Sequence, residues 1–183
     1  MSSKISHAIK KRDKPEDVFY TPETLVKEHL DLVKTFLKDE NVLILDPFKG
    51  QGAYFNEFNN YFPNCSYEWC EINDNKDFFE YQGNPYAIIS NPPYSMIDKV
   101  LQKSVSLQPH IISYLVGFGN LTARRMEYMN KNGYELCSMH LTKVFKWYGM
   151  SAIITFRKCG GTPQNVIGFD RTIHRSHKTP QKN

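Results

Sequence analysis

Short strand-like runs, each stopping at a polar residue, punctuate the first half of the chain: 41–45 stops at Asp46, 66–70 at Glu71 and 86–90 at Asn91. Runs this short, separated by longer segments of helical periodicity, read as strands of a sheet buried on both faces. Over 22–37 the apolar residues Leu25, Val26, Leu30, Leu32, Val33, Phe36 and Leu37 recur at helical spacing, with Thr21 as the expected N-cap and Pro22 as the first helical residue. The helical pattern returns over 53–61, 96–106 and 122–132, and 111–116 is a further apolar strand. Strand and helix therefore alternate, which predicts an α/β fold with a mostly parallel sheet and helices on both faces. The end of the chain breaks the alternation. Segments 135–146 and 150–158 are both strand-like, with only the short Trp147-Tyr148-Gly149 stretch between them, so they are expected to pair as an antiparallel hairpin at the sheet's edge.

A chain of 183 residues, 40% of them hydrophobic, suits one domain with modest extensions and excludes disorder throughout. No stretch approaches the roughly 18–20 uncharged apolar residues of a membrane span. The basic start precedes no apolar segment of secretory type, so an intracellular, cytoplasmic or nuclear protein with no membrane partner is expected. Cys65, Cys70, Cys137 and Cys159 have no CxxC spacing and no paired histidines. They are expected as small core residues, and neither a metal nor a disulfide framework is expected. The net charge of +4 hides a segregation: residues 1–14 carry five basic residues against Asp13, residues 171–183 carry four and no acid, and the body between is net −4. Two basic ends on an acidic body suit arms that follow a polyanion, or equally solvated termini that aid solubility.

In parallel α/β sheets ligands bind beyond the carboxyl ends of the strands, which makes Asp46, Glu71 and Asn91 the first candidates. The turn Asp46-Pro47-Phe48-Lys49-Gly50-Gln51-Gly52 has paired glycines that let the backbone approach a ligand. It is not the dinucleotide motif, since Phe55 stands where a third glycine belongs, and it is not a P-loop, since no Lys-Ser or Lys-Thr follows. Glu71 lies 19 residues beyond Gly52, close to the spacing of about 20 at which an acid hydrogen-bonds the ribose of a nucleoside cofactor. The sharpest signal is Ser90-Asn91-Pro92-Pro93-Tyr94-Ser95, directly after Ala87-Ile88-Ile89. An exocyclic amine is a poor nucleophile because its lone pair is delocalised, and two acceptors on one side draw it toward tetrahedral geometry. Each proline holds the residue before it extended, so the side-chain oxygen of Asn91 and the carbonyl of Pro92 can converge on one NH2, with Tyr94 stacked on a planar substrate.

On these motifs, from about residue 18 to 157, the sequence resembles the class I S-adenosylmethionine-dependent methyltransferases, and more closely their DNA adenine-N6 branch. The resemblance implies a Rossmann-like methyltransferase domain over 18–160, between a basic N-terminal arm (1–17) and a basic C-terminal tail (161–183). It implies S-adenosylmethionine as cofactor, with Tyr20, Thr21 and Pro22 of Val18-Phe19-Tyr20-Thr21-Pro22 at its methionine part. Asp46 would face the methionine ammonium, Phe48 the adenine, and Pro47, Gly50 and Gly52 would complete the loop. Glu71 would take the ribose and Asp77 the adenine amine. Asn91, Pro92, Pro93 and Tyr94 form the catalytic tetrapeptide, with Asn91 also beside the cofactor. Trp147 and Tyr148, in Phe145-Lys146-Trp147-Tyr148-Gly149, match the place of an aromatic that sandwiches an extruded base, or pack the sheet edge.

The sequence also departs from that pattern. Only five residues separate Glu71 from Asp77, so the usual intervening helix is expected to be shortened or missing. No recognition domain follows the catalytic half, so target choice is expected to be loose, to come from short loops, or to be supplied by a separate specificity subunit or a second copy. DNA is the expected partner. Alternatives are RNA adenine, a protein glutamine amide, and a catalytically idle fold that binds nucleic acid. Arg124 and Arg125 fit a solvated helix face better than a phosphate contact.

Overall fold

Consecutive residues of the central strands face two different apolar layers. In β1 (Leu43–Asp46) Ile44 joins one layer and Leu45 the other, and in β3 (Ala87–Ser90) Ala87 and Ile89 face the first layer while Ile88 faces the second. The first layer is covered by α1 (Glu23–Lys34) through Val26, Leu30 and Val33 and by α2 (Phe55–Tyr61) through Phe58. The second is covered by α3 (Ile97–Ser106) through Val100 and Leu101 and by α4 (Ala123–Lys131) through Met129. Each of these side chains is at most 3% exposed, and burying one stabilises the fold by about 1.5–3 kcal/mol. The computed structural model describes residues 21–37, 41–144 and 149–160, so Tyr20, Trp147, Tyr148 and both basic ends lie outside the described residues.

The remaining strands are β2 (Ser66–Trp69), β4 (Ile111–Gly117), β5 (Tyr134–Thr142) and β6 (Ser151–Lys158), and the sheet order is β2-β1-β3-β4-β6-β5. The first four of these run parallel, β6 is antiparallel to β4, and β5 is antiparallel to β6. The expected α/β architecture, with a mostly parallel sheet, a hairpin at one edge and helices on both faces, is the one observed. In this register Asp46, at the end of β1, lies beside Trp69, at the end of β2, and β3 ends at the same rim one strand away.

One local expectation is corrected, and the expected shortening of the connection between Glu71 and Asp77 is observed. The N-cap of α1 is Pro22, not Thr21: its carbonyl accepts the amides of Leu25 and Val26 at 2.9 and 3.0 Å, and Glu23 is the first helical residue. Thr21 is instead turned toward Asn91. Between Glu71 and Asp77 no helix of several turns forms. A 3-10 turn over Ile72–Asp74, closed by Asn75 at φ +56°, returns the chain so that Glu71 and Lys76 exchange two backbone bonds of 2.9 and 3.1 Å. Among the described residues no helix is long and apolar enough to cross a membrane.

Candidate active site

A cavity of about 380 Å³ opens at the carboxyl ends of β1, β2 and β3, within the range of small-ligand sites. The loop after β1 forms one wall. Gly50 and Gly52, at φ +51° and +89°, supply left-handed turns that a side chain resists, and the loop is laced to its neighbour by Lys49 N to Cys70 O at 3.0 Å and Gly50 N to Glu71 Oε2 at 2.9 Å. Glu71 also accepts from the backbone and side-chain nitrogens of Asn73, which holds its carboxylate at the cavity wall. Asp77 reaches the same wall, its Oδ1 accepting the Phe79 amide at 2.8 Å and starting the 3-10 turn Phe78–Glu80. Phe48 and Phe78 meet edge to face, with ring centroids 5.3 Å apart, and both line the cavity. The tight turn thus brings the two predicted acids and an aromatic pair to one pocket.

Asp46 sits beneath this floor. It is fully buried; Oδ1 accepts from the Ser90 hydroxyl at 2.6 Å and the Phe48 amide at 3.3 Å, while Oδ2 has no hydrogen-bond partner. Burial pushes its pKa from 3.8 up to about 7, against the opposing influence of the Ser90 hydroxyl and the Phe48 and Phe55 amides. The expected direct contact with a ligand ammonium is therefore not available at the cavity surface, and this charge acts on the cavity from below. The one lysine at the wall, Lys49, turns its ammonium toward the Trp69 ring at 3.7 Å and the Asp74 carboxylate at 3.7 Å. The lining is thus mostly apolar, with the Glu71 and Asp77 carboxylates set into it, and suits an aromatic ligand that carries hydroxyls and positive charge.

Asn91, Pro92 and Pro93 line the opposite wall, and the Asn91 Nδ2 donates to Thr21 Oγ1 at 3.1 Å. Pro22 is exposed and outside the lining, and Pro47 is part of it. Tyr94 is half-buried against the second apolar layer and is not among the lining residues. Arg124 and Arg125 both pair with Asp98, at 2.6 and 2.8 Å, and so clamp α4 to α3. All four cysteines are free, and among the described residues no cluster of metal-ligating side chains occurs.

With this geometry established, comparison with solved structures becomes informative. A Listeria monocytogenes protein described as a class I S-adenosylmethionine-dependent methyltransferase superposes with a TM-score of 0.59 at 13% identity, covering 92% of this chain and 68% of that one. A Pyrococcus horikoshii protein assigned as an RNA methyltransferase gives 0.58 at 14% identity, covering 86% and 99%. TYW2 from M. jannaschii, in complex with AdoMet, gives 0.53 at 17% identity, covering 78% and 79%. The fold is that of the class I methyltransferases. No family model matches the sequence, and no curated protein matches it.

Several residues of this methyltransferase fold's cavity escaped the sequence reading. Tyr54 lines the wall, and its hydroxyl lies 2.9 Å from Nδ1 of the wholly buried His29. His29 stands three residues after Val26 and four after Leu25, on the apolar stripe of α1, and a polar residue at that register was the available signal. Ser90, which holds Asp46, is the last residue of β3 and shows no comparable pattern.

Proposed function

We propose that the protein transfers a methyl group from S-adenosylmethionine to the exocyclic N6 amine of adenine in DNA. The observation that carries the reading is Asn91-Pro92-Pro93 on the wall of the cavity that Glu71 and Asp77 also line, with the Asn91 amide nitrogen held by Thr21. The residues present fit the cofactor on structural grounds. An orphaned buried carboxylate oxygen, Asp46 Oδ2, lies below the floor, Glu71 and Asp77 stand at the wall, and the glycine turn keeps that wall low. Glu71 would accept ribose hydroxyls with its remaining lone pairs, Asp77 and the Phe48–Phe78 pair would receive the adenine, and Asp46 would balance the positive charge. When bound, the cofactor supplies an electrophilic methyl group on a sulfonium. The chain then positions the amine: Asn91 and the Pro92 carbonyl accept its hydrogens on one side, so the nitrogen lone pair is directed at the methyl without a covalent enzyme intermediate. The residue numbering of that division is testable, since Asn91 acts on the amine and Glu71 on the cofactor.

The basic ends, 1–17 and 161–183, would track phosphates and add affinity without base readout. Target choice would then rest on a separate subunit or a second copy, and such a substrate implies a cytoplasmic or nuclear protein. A second reading, RNA adenine, is favoured by neighbours described as RNA methyltransferases, among them 23S rRNA methyltransferase ErmE, at a TM-score of 0.55 and 13% identity. Mass spectrometry of nucleosides from DNA and RNA incubated with the protein and S-adenosylmethionine, beside Asn91→Ala, separates them. N6-methyladenine in DNA, lost in a variant that still binds the cofactor, is the expected result. Methylated adenine in RNA alone selects the second reading, and no methylated nucleoside in either polymer refutes both.

A further inference from the structure

The chemistry proposed above needs Asn91 to meet the amine with its side-chain oxygen, yet a carboxamide can present either end. We infer that a chain of hydrogen bonds running from the sheet to the cavity fixes which end is presented, and that His29 and Tyr54 are its positioning residues. This inference rests on the adenine-amine reading.

Ser113, on β4, has its hydroxyl oxygen 3.2 Å from the Ile154 carbonyl, 2.8 Å from the hydroxyl of its cross-strand partner Thr155 and 2.8 Å from His29 Nε2. In the inferred chain the single hydrogen of Ser113 goes to the Ile154 carbonyl and His29 Nε2 donates to the Ser113 oxygen. The opposite tautomer, with Ser113 donating to Nε2, is the alternative that the tautomer measurement distinguishes. His29 has no exposed surface, and burial depresses its pKa to about 3, so the ring is neutral. With the proton on Nε2, Nδ1 is bare and accepts from the Tyr54 hydroxyl at 2.9 Å. That hydroxyl's hydrogen is then committed, and in the inferred chain its oxygen takes the hydrogen of the neighbouring Thr21 hydroxyl. Thr21 Oγ1, its own hydrogen spent, accepts Asn91 Nδ2 at 3.1 Å. A reversed Asn91 amide would set oxygen against an oxygen with no hydrogen left to give. The amide nitrogen therefore stays on Thr21 and the amide oxygen is the end turned away from it.

A role confined to packing would need none of this directionality. His29 lies on the stripe of α1 formed by Leu25, Val26, Leu30 and Val33, where an apolar residue would complete the layer. Tyr54 is wholly on the way from that layer to the cavity wall. The arrangement converts a fixed backbone acceptor in β6 into a fixed orientation of one side chain at the site.

Two measurements test the chain. The first uses no activity: ring 15N chemical shifts of His29 in the full-length protein between pH 5 and 8 read the tautomer. A neutral ring protonated at Nε2 is expected, and protonation at Nδ1 overturns the inference. The second is single-turnover methyl transfer to adenine-containing DNA by Tyr54→Phe, Asn91→Asp and the double variant, with the cofactor Kd measured for each. Removing the Tyr54 hydroxyl should slow the parent by about 10–100-fold with the Kd changed less than about threefold, as expected when an oriented acceptor is lost. An aspartate at 91 has no N–H to give, so Thr21's hydrogen is wanted by both Tyr54 and Asn91→Asp. There Tyr54→Phe should have no further effect or should speed transfer. Equal slowing in both backgrounds, or none in the parent, overturns the inference. If the parent methylates neither DNA nor RNA, the adenine reading fails by itself, and the tautomer still decides the chain.

Discussion

Replacing Asp46 by Asn gives an unusual pair of effects: the cofactor-free protein becomes more stable and the cofactor binds worse. Burial raises the carboxyl from 3.8 to about 7. Holding it ionised above pH 7 therefore costs roughly 4 kcal/mol, at about 1.4 kcal/mol for each pKa unit. The sign follows from the folded pKa lying above the unfolded one: the folded state holds the proton more tightly, so this contribution is neutral below pH 4, is lost as pH rises from 4 to 7 and is constant beyond. Asparagine keeps an oxygen for the Ser90 hydroxyl and the Phe48 amide, but sets an NH2 where Oδ2 has no partner, at a cost of about 1–3 kcal/mol. The net gain for Asp46→Asn at pH 8 is then about 1–3 kcal/mol, or a few degrees in Tm. Melting both proteins without cofactor from pH 4 to 8 isolates the term, because His29 and every other group cancel in the difference. The advantage of the variant should grow with pH and level off above 7. Calorimetry at pH 8 should show its S-adenosylmethionine affinity down at least about tenfold, since a unit charge about 6 Å away at an effective dielectric of about 20 is worth roughly 3 kcal/mol. A variant that melts below the parent by the same margin at every pH would refute the reasoning, because the buried carboxylate would then be neither strained nor poised for a positive ligand.

The loop and the acid wall give further tests. Gly52→Ala should destabilise by about 2 kcal/mol or more, because φ is +89° and the new methyl would sit 3.0 Å from the Asn56 side chain. Gly50→Ala, at φ +51° with no atom within 4 Å of the methyl, should cost only about 1 kcal/mol; chemical denaturation of the pair checks the ranking. Glu71→Ala should lower cofactor affinity about tenfold or more, at the scale of a charge-assisted bond. It should also loosen the loop, since Gly50 N loses its acceptor; faster hydrogen exchange at Gly50 than in the parent is the readout.

The apolar architecture and the polar strand ends were legible, and the buried polar links between distant segments were not. Val26, Leu30 and Val33 are spaced by the helix, and Ala87-Ile88-Ile89 is a strand whichever protein contains it, so the layers followed from periodicity alone. Asp46, Glu71 and Asn91 were legible for a related reason, since parallel strands end on one rim and polar residues there have little else to serve. Thr21 was misread because an N-cap and a tertiary hydrogen bond demand the same residue type, and only the fold decides between them. The link from His29 to Tyr54 and Ser113 joins positions 25 and 84 residues apart, a separation at which no local pattern operates. Asp46 was identified but its depth was not, because its buried partner is Ser90, 44 residues further along the chain.

The turn between Glu71 and Asp77 shows how a short chain keeps a nucleoside-sized wall. With β2 at the sheet edge, no further strand flanks these residues, and the two backbone bonds between Glu71 and Lys76 hold the turn together with the Gly50 bond to Glu71, the Lys49–Asp74 ion pair and the packing of Phe78 and Phe79. Lys76→Pro attacks that support directly. Proline removes the amide that reaches the Glu71 carbonyl at 3.1 Å, and it disfavours the left-handed conformation of Asn75 before it, at φ 56° and ψ 31°. The two acids should then lose their common wall while both apolar layers stay intact. Lys76→Ala is the control: it removes the ammonium lying 3.7 Å from the Trp69 ring centroid and keeps the amide. The proline variant should bind S-adenosylmethionine at least about tenfold more weakly than the alanine variant, the scale of one lost charge-assisted contact, with a Tm within a few degrees. Equal affinities would mean that the wall is held by those other contacts alone, and that the reciprocal bonds of the turn only tidy an edge.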